Sequence, residues 1–269
     1  MIEGTIAVGA LAFACQLGSA SAGMGYGTIL TPLLLLLGFS PLHAVPAVLL
    51  SQLAGGVVGG FLHHRAGNIR LDFRPDEEAR RRLRGFGYMP RSPDSKVIFI
   101  LAICGVAGVV FGAFSAVHVP GEALEIYIGA LVLAVGMLIL LRKEGERRFS
   151  WGKLVAVGLV SAFNKGMSGG GYVPLVAGGQ IIAGREVKSA VGSTLLAVAL
   201  VCGAGFAAYL LMEREISWSL SLAAALGSVA GSVPAAFIVR RAKPRRLKTA
   251  VGGLTAGLGA LLLFRILAF

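Results

Sequence analysis

The residues best suited to chemistry lie in segment 164–174, which reads Asn-Lys-Gly-Met-Ser-Gly-Gly-Gly-Tyr-Val-Pro. This segment interrupts an apolar run, 151–183, whose composition otherwise predicts membrane helix. Consecutive glycines and a nearby proline do not form an ordinary helix interior. Because unpaired backbone groups are costly in lipid, such a break must be buried in protein or line a wet cavity. Lys165 places a cation in the break, so the segment predicts half of an anion-binding site.

A second glycine-rich break, Gly-Met-Gly-Tyr-Gly, lies at 23–27 inside the apolar run 5–37. The residues that follow the breaks also correspond, with Ala-Val-Pro-Ala-Val-Leu-Leu at 44–50 and Ala-Val-Gly-Ser-Thr-Leu-Leu at 190–196. Interrupted segments at matching positions of two halves are the best sequence indication of a secondary transporter site. The two half-sites are expected to be unequal, because the first break has Gly-Tyr-Gly where the second has a glycine triplet.

Each break is expected to expose the N-terminus of a half-helix near the middle of the membrane. Free N–H groups at such an end bind anions, and missing Cβ atoms let a ligand approach the backbone. Hydroxyl, amide and phenol groups nearby add hydrogen-bond donors. The candidate substrate-binding residues are Ser21, Gly23, Gly25, Tyr26, Gly27, Thr28, Gln52, Asn164, Lys165, Ser168, Gly169, Gly170, Gly171 and Tyr172.

These residues also have structural interpretations. The glycines could serve only to let helices cross closely. Lys165 could neutralise the negative C-terminal end of the first hairpin arm, a role that is compatible with substrate contact. Gln52 could face the site or bond a neighbouring helix, and both interpretations stay open. His43 is expected to cap a helix in an exposed position, whereas His63 is assigned to a loop.

Composition places the elements that hold these residues in a membrane. The chain has 269 residues, 56% of them hydrophobic and 14% charged, with a mean hydropathy of +0.80. A soluble domain carries about 25% charged residues. The net charge of +12 lies mostly in connectors between apolar runs, which indicates membrane topology and not nucleic-acid binding. We therefore expect a multi-pass protein of the cytoplasmic (inner) membrane, surrounded by lipid.

Metal and covalent chemistry are not indicated by the sequence. Cys15, Cys104 and Cys202 are far apart and show neither metal-ligand nor redox spacing. No Ser/His/Asp set or His/Cys cluster falls at membrane depth, so we expect no enzyme activity, no metal and no cofactor. No Asp or Glu falls at clear mid-membrane depth either, and a carboxylate proton relay is not evident.

Placing the basic connectors in the cytoplasm fixes the expected topology. Run 151–183 then starts and ends on the same face, and its length lies between one crossing of about 20 residues and two crossings. A re-entrant hairpin folded at the glycines fits this length, and the same logic makes 5–37 a hairpin from the opposite face. Each half adds an odd number of crossings, so the second half is inverted relative to the first.

The predicted fold is an all-α integral membrane protein of two inverted-topology repeats, each a broken or re-entrant helical hairpin followed by three transmembrane helices. Repeat 1 (1–141) is expected to contain hairpin 5–37 and helices 43–62, 97–117 and 122–141, with a basic cytoplasmic loop at 63–96. A basic connector follows at 142–150. Repeat 2 (151–269) is expected to contain hairpin 151–183 and helices 187–212, 216–239 and 247–269.

The glycine-rich breaks with a downstream proline, the Ala-Val pair opening the next helix and the two halves joined by a basic loop resemble the TauE/SafE sulfite-exporter family. The resemblance covers nearly the whole chain. It implies export of a small sulfur-containing anion, such as sulfite or an organosulfonate, by alternating access. An anion channel and a transporter of a non-sulfur carboxylate are the alternatives. The particular anion and the coupling ion stay open, and a homodimer is compatible with the sequence.

Overall fold

The computed structural model describes residues 2–22, 25–75, 88–141, 150–212, 215–238 and 244–268. These parts of the chain form helices and one antiparallel pair of short strands, β1 (Phe73–Pro75) and β2 (Tyr88–Pro90), with Arg74 opposite Met89. The helices are α1 (Ile2–Ala22), α2 (Tyr26–Leu36), α3 (Pro41–Arg65), α4 (Pro93–His118), α5 (Gly121–Leu141), α6 (Trp151–Ser168), α7 (Tyr172–Ile182), α8 (Val187–Leu211), α9 (Trp218–Ile238) and α10 (Pro244–Ala268).

Five of the described helices, α3, α4, α5, α8 and α9, are long and apolar enough to cross a membrane. Shorter apolar helices lie at Thr5–Ala20, Tyr26–Leu36 and Gly252–Ala268. Many large hydrophobic side chains on these helices face outward, which suits lipid and not water. The predicted helical membrane class is therefore confirmed, and the β1–β2 pair is a small exception to an all-α fold.

The predicted loop 63–96 is shorter than expected. α3 continues to Arg65, and α4 begins at Pro93, where Ser92 caps the helix by accepting a hydrogen bond from the Ser95 N–H group. Residues 76–87 of this loop lie outside the described parts of the chain. The assignment of His63 to the loop was wrong, because His63 lies on the last turn of α3 and is fully buried.

Each glycine-rich break joins a long helix to a short one. α1 has 21 residues and α6 has 18, whereas α2 and α7 have 11 each. At a rise of about 1.5 Å per residue, 11 residues cover roughly half of a hydrocarbon core of about 30 Å. The short arms α2 and α7 are therefore each long enough to span only about half of such a core.

The helices of the two halves pack in matching pairs. In the first half, α1 and α3 each pack on α9, and in the second half, α6 and α8 each pack on α4. α3 also contacts α8, and α5 contacts α10. Glycines permit the close crossings. A Cβ atom on Gly231 would lie 2.5 Å from the carbonyl oxygen of Phe13, and one on Gly108 would lie 2.5 Å from that of Leu159. The core is thus a set of closely crossed helices around the two hairpins.

Two connectors that the sequence assigns to the cytoplasm meet at one end of the bundle. Arg185, between α7 and α8, forms an ion pair with Asp94 at the start of α4, and each side chain is 13% exposed. Ser189 also donates a hydrogen bond to the Asp94 carboxylate. Burial lowers the pKa of Arg185, and the neighbouring Asp94 carboxylate opposes that shift. The ion pair joins the loop before α4 to the turn after the second hairpin.

A different arginine contacts the outer end of the first short helix. Arg265 of α10 donates hydrogen bonds from Nη1 to the carbonyl oxygens of Leu35 at 2.8 Å and Leu36 at 3.1 Å. These carbonyls belong to the last turn of α2, and that of Leu35 also accepts a hydrogen bond from the Gly38 N–H group at 2.9 Å. A cation at a helix C-terminus also interacts favourably with the helix dipole. The end of α2 is therefore held by the last helix of the chain.

Candidate functional site

The two glycine-rich breaks lie against each other in the interior. A Cβ atom on Gly27 would lie 1.7 Å from the carbonyl oxygen of Gly169, and one on Gly170 would lie 3.1 Å from the Cα atom of Thr28. The Gly171 N–H group donates to the Thr28 hydroxyl at 3.0 Å. Only glycine at Gly27 allows this contact, so the sequence itself brings the two breaks together.

Each short helix is directly preceded by a glycine whose backbone is in the left-handed conformation. Gly25 has φ of 84° and precedes Tyr26, the first residue of α2, while Gly171 has φ of 81° and precedes Tyr172, the first residue of α7. A residue with a Cβ atom would be strained at either position. The turns direct the N-terminal ends of α2 and α7 toward the crossing, the place where the two glycine-rich breaks contact each other. There the first N–H groups and the positive dipole ends of these helices favour an anion.

Lys165 lies at this crossing and is 1% exposed. Its ammonium group donates to Gln52 Oε1 of α3 and to the carbonyl oxygen of Gly169, which follows the C-terminus of α6. Both acceptors are neutral. Among the described residues the buried carboxylate is that of Asp94, which pairs with Arg185. Within the described parts of the chain, the Lys165 charge is therefore solvated by dipoles and has no carboxylate partner.

A narrow cavity lies beside Lys165, and although its gaps add up to about 130 Å³ of unfilled space, none of them admits a water molecule. Its walls come from both breaks and from α3, and they are formed by Gly25, Gly27, Thr28, Gln52, Lys165, Gly170, Gly171, Tyr172 and Val173. The amide nitrogen Nε2 of Gln52 and the hydroxyl of Tyr172 are both buried without a hydrogen-bond partner. An unused amide donor beside a cation, as at Gln52, is a group that a small oxyanion needs.

Most of the predicted binding residues line this cavity, and the others that the structure describes lie next to it. Gly169 contributes its carbonyl to Lys165. The Tyr26 hydroxyl donates to Ser51 at 2.8 Å, away from the cavity. Asn164 accepts a hydrogen bond from Tyr127 of α5. Gly23 and the side chain of Ser21 lie outside the described residues.

The glycine amides that were predicted to bind an anion have intramolecular partners in this structure. The Gly169 N–H donates to the Lys165 carbonyl, that of Gly170 to the Ser168 hydroxyl at 3.1 Å, and that of Gly171 to Thr28. The hydroxyls of Ser168 and Thr28 therefore occupy the positions where oxygen atoms of a ligand would accept these bonds. Anion binding by the glycine amides stays a prediction that requires the hydroxyls to move.

Sequence reasoning missed two residues at this site. Val173 lines the cavity beside Tyr172, and Thr31 has a buried hydroxyl without a partner, close to where a Cβ atom on Gly169 would lie. The position of Thr31, one helical turn after Thr28, could have identified it, because residues three apart share a helix face. Val173 carries no polar atom and gave no such signal.

Comparisons with known proteins agree with this architecture. The model of the sulfite exporter TauE/SafE family matches residues 84–262. The chain is 24% identical over 251 residues, covering 88% of this chain and 75% of its relative, to the probable membrane transporter protein YtnM of Bacillus subtilis (strain 168). No solved structure matches the chain significantly. Since the family model covers more than half of a multi-pass helical chain, the protein belongs to the TauE/SafE sulfite exporter family of membrane transporters.

Proposed function

We propose that this protein is a secondary transporter that exports a small sulfur-containing anion, such as sulfite or a sulfonate, by alternating access. The observation that carries the proposal is the buried Lys165 at the crossing of two broken hairpins, bonded to neutral acceptors. A buried cation without a carboxylate partner is costly, and a bound anion removes that cost. The choice of a sulfur oxyanion as substrate is based on the family name, which describes sulfite exporters.

The cavity supplies the contacts that a pyramidal or tetrahedral oxyanion requires. Lys165 offers the charge, Gln52 offers an unused amide donor, and the starts of α2 and α7 offer helix N-termini. Each oxygen of the anion can therefore meet a different donor. When the anion enters, the Ser168 and Thr28 hydroxyls rotate away and release the amides of Gly170 and Gly171.

The two halves of the chain are proposed to be inverted repeats. Residues 146 positions apart play equivalent parts. Gly25 and Gly171 directly precede the short helices, and the carbonyl oxygens of Phe13 and Leu159 are each closely approached by a glycine of another helix. An odd number of crossings between the two hairpins turns the second half upside down. This relation supports a site reached alternately from each face.

A further pair of equivalent contacts lies where the long arms end. His63 Nε2 is 3.1 Å from the carbonyl oxygen of Ala20, and the Tyr209 hydroxyl donates to the carbonyl oxygen of Gly166 at 2.9 Å. Tyr209 lies 146 positions after His63, and Gly166 lies 146 positions after Ala20. Each long arm therefore ends against a polar side chain from the C-terminal half of the helix that follows its hairpin, as repeat symmetry requires.

Transport by proteoliposomes tests the proposal. Vesicles preloaded with unlabelled sulfite should accumulate labelled sulfite by counterflow, and the initial rate should saturate with concentration. Flux that neither saturates nor shows counterflow would assign the protein to the anion channels. Counterflow driven by a small carboxylate but by no sulfur anion would keep the transporter and change its substrate class.

A further inference from the structure

The charge of the site limits the charge of its ligand. Lys165 is the basic side chain among the cavity-lining residues, and none of the others is acidic or basic. The groups near its ammonium on the neighbouring helices include Gln52 of α3 and Cys202 of α8, neither of which adds a second positive charge. The described side chains therefore contribute one positive charge to the cavity.

The helix ends at the crossing do not change this total. α2 and α7 direct N-terminal ends to the crossing, each equivalent to about half a positive charge. α1 and α6 direct C-terminal ends to the same region, each equivalent to about half a negative charge. Because every break joins one end of each kind, the dipoles cancel to first order. They orient the anion without adding a further unit of charge.

The remaining donors are neutral and buried. Gln52 is 0% exposed, lines the cavity and has an unpartnered amide nitrogen, whereas the buried Tyr172 hydroxyl lies toward α4, 3.6 Å from where a Cβ atom on Gly105 would lie. Neutral donors stabilise an anion by hydrogen bonds but do not compensate a second charge in a buried site. The gaps of the cavity are too narrow to admit a water molecule, so a bound anion would keep little of its hydration shell.

We infer that this site accepts singly charged oxyanions and rejects doubly charged ones of the same shape. The inference rests on the proposed anion site and adds its charge selectivity. A monoanion beside Lys165 gives a loaded site of zero net charge, whereas a dianion leaves one negative charge buried without a partner. For a sulfur substrate, the ligand would be hydrogensulfite or a monosulfonate and not the sulfite or sulfate dianion.

Methanesulfonate and sulfate test the inference, because both are tetrahedral at sulfur and differ by one charge. We would measure their dissociation constants by calorimetry on the purified full chain in detergent, at fixed pH and ionic strength, with gluconate replacing chloride. Methanesulfonate should bind at least about tenfold more tightly than sulfate, since an uncompensated buried charge is expensive. Equal affinities, or tighter sulfate binding, would overturn the charge selectivity while keeping the anion site. Failure of every sulfur anion to bind would remove the proposed site itself.

A charge substitution within the cavity gives a second, independent readout. Gln52→Lys adds a second cation, so the ratio of sulfate to methanesulfonate affinity should rise by at least about tenfold. Gln52→Met removes the amide at similar volume, and its preference for the monoanion should match that of the wild type even if both ligands bind less tightly. A sulfate preference in Gln52→Met equal to that in Gln52→Lys would show that the amide, and not charge, sets the selectivity. If Gln52→Lys does not fold, the ratios of sulfate to methanesulfonate affinity in the wild type and in Gln52→Met still test the inference. A preference for the monoanion in both proteins supports it, and loss of that preference in Gln52→Met contradicts it.

Discussion

The chemistry of this protein concentrates on one lysine and the groups within reach of it. The sequence predicts two compatible roles for Lys165, of which substrate contact stays a prediction. Its ammonium bonds to the Gly169 carbonyl at the end of α6, which is the structural role, and it also borders the cavity. Gln52 likewise combines both interpretations, because its oxygen accepts from Lys165 while its nitrogen stays available.

Replacing Lys165 by methionine should weaken anion binding while leaving the fold nearly intact. Methionine keeps the volume of the side chain and removes its charge, so the loaded site loses its counter-charge. A loss of at least about 1.5–3 kcal/mol, the usual value of a charge-assisted hydrogen bond, is expected in the dissociation constant of a sulfonate. The matched control is Lys153→Met on the same helix, where the side chain is exposed. Unchanged affinity in a folded Lys165→Met protein would confine Lys165 to the structure of the hairpin.

Gly170→Ala separates a ligand-binding role of the glycines from a packing role. The added methyl group would lie 3.1 Å from the Cα atom of Thr28 and 3.2 Å from the carbonyl oxygen of Gly27, at the contact between the two breaks. If the Gly170 amide binds the anion, affinity should fall by about 1.5–3 kcal/mol. Measuring the melting temperature and the dissociation constant on the same variant distinguishes the two roles. A lower melting temperature with unchanged affinity would leave only packing. Gly179→Ala on α7 is the control, because nothing lies within 4 Å of its added methyl group.

At the scale of the helices, each short arm carries an arginine near its C-terminal end. Arg265 bonds the last carbonyls of α2, and Arg185 bonds the side chain of Gln180 in α7 as well as Asp94. The outer ends of α2 and α7 are therefore held, while their N-terminal ends face the cavity. Motion of these half-helices on binding is expected at the glycine ends, where φ values of 84° and 81° place the turns.

The Asp94–Arg185 pair should contribute to stability and not to anion affinity. Its side chains are 13% exposed, so removing either partner leaves a poorly hydrated charge, and Asp94→Asn or Arg185→Gln should each cost about 2 kcal/mol or more. The double variant should cost less than the sum of the two. Glu186→Gln is the comparison, because its bond to Lys188 is exposed and worth well under about 1 kcal/mol. Melting temperatures check these values, and strictly additive effects would mean that the two groups do not interact.

The helices, the breaks and the membrane class could be predicted from the sequence, because glycine, proline and hydrophobic runs act locally. The predicted helix ends differ from the observed ones by a few residues, as at α4, where the Ser92–Pro93 capping signal was overlooked. Long-range contacts were not accessible in this way. Asp94 and Arg185 are 91 positions apart, and nothing in either local segment indicates the other. Likewise, the sequence predicted both breaks but not the direct contact of Gly27 with Gly169.

At the scale of the whole molecule, the charge pattern predicts which end faces the cytoplasm. Asp94 and Arg185 lie together at the end assigned to the cytoplasm, and Arg265 lies with Leu35 at the other. The two ends therefore hold different connectors, and which of them faces the cytoplasm stays a prediction from the positive-inside rule. The packing of the chain is consistent with the assignment, and accessibility measured from each side determines it.

Cysteine labelling determines the orientation. In a background without the three native cysteines, Glu186→Cys should resist a membrane-impermeant maleimide added from outside and react after permeabilisation. Ile2→Cys should react from outside at once. The expected pattern follows from the basic connectors, which are retained in the cytoplasm. Labelling of residue 186 from outside, with residue 2 protected, would contradict the inverted-repeat topology.

The lone lysine also bears on how such a chain could arise. Under the inverted-repeat proposal, the position equivalent to Lys165 is Ser19, whose hydroxyl accepts a hydrogen bond from the Tyr26 N–H group, and the position equivalent to Gln52 is Val198. In an ancestral antiparallel homodimer every residue occurs twice around the symmetry axis. A lysine at this position would then have placed two ammonium groups at the crossing of the breaks. Under the same proposal, a site with one positive charge near the axis requires that the two halves have diverged within one fused chain.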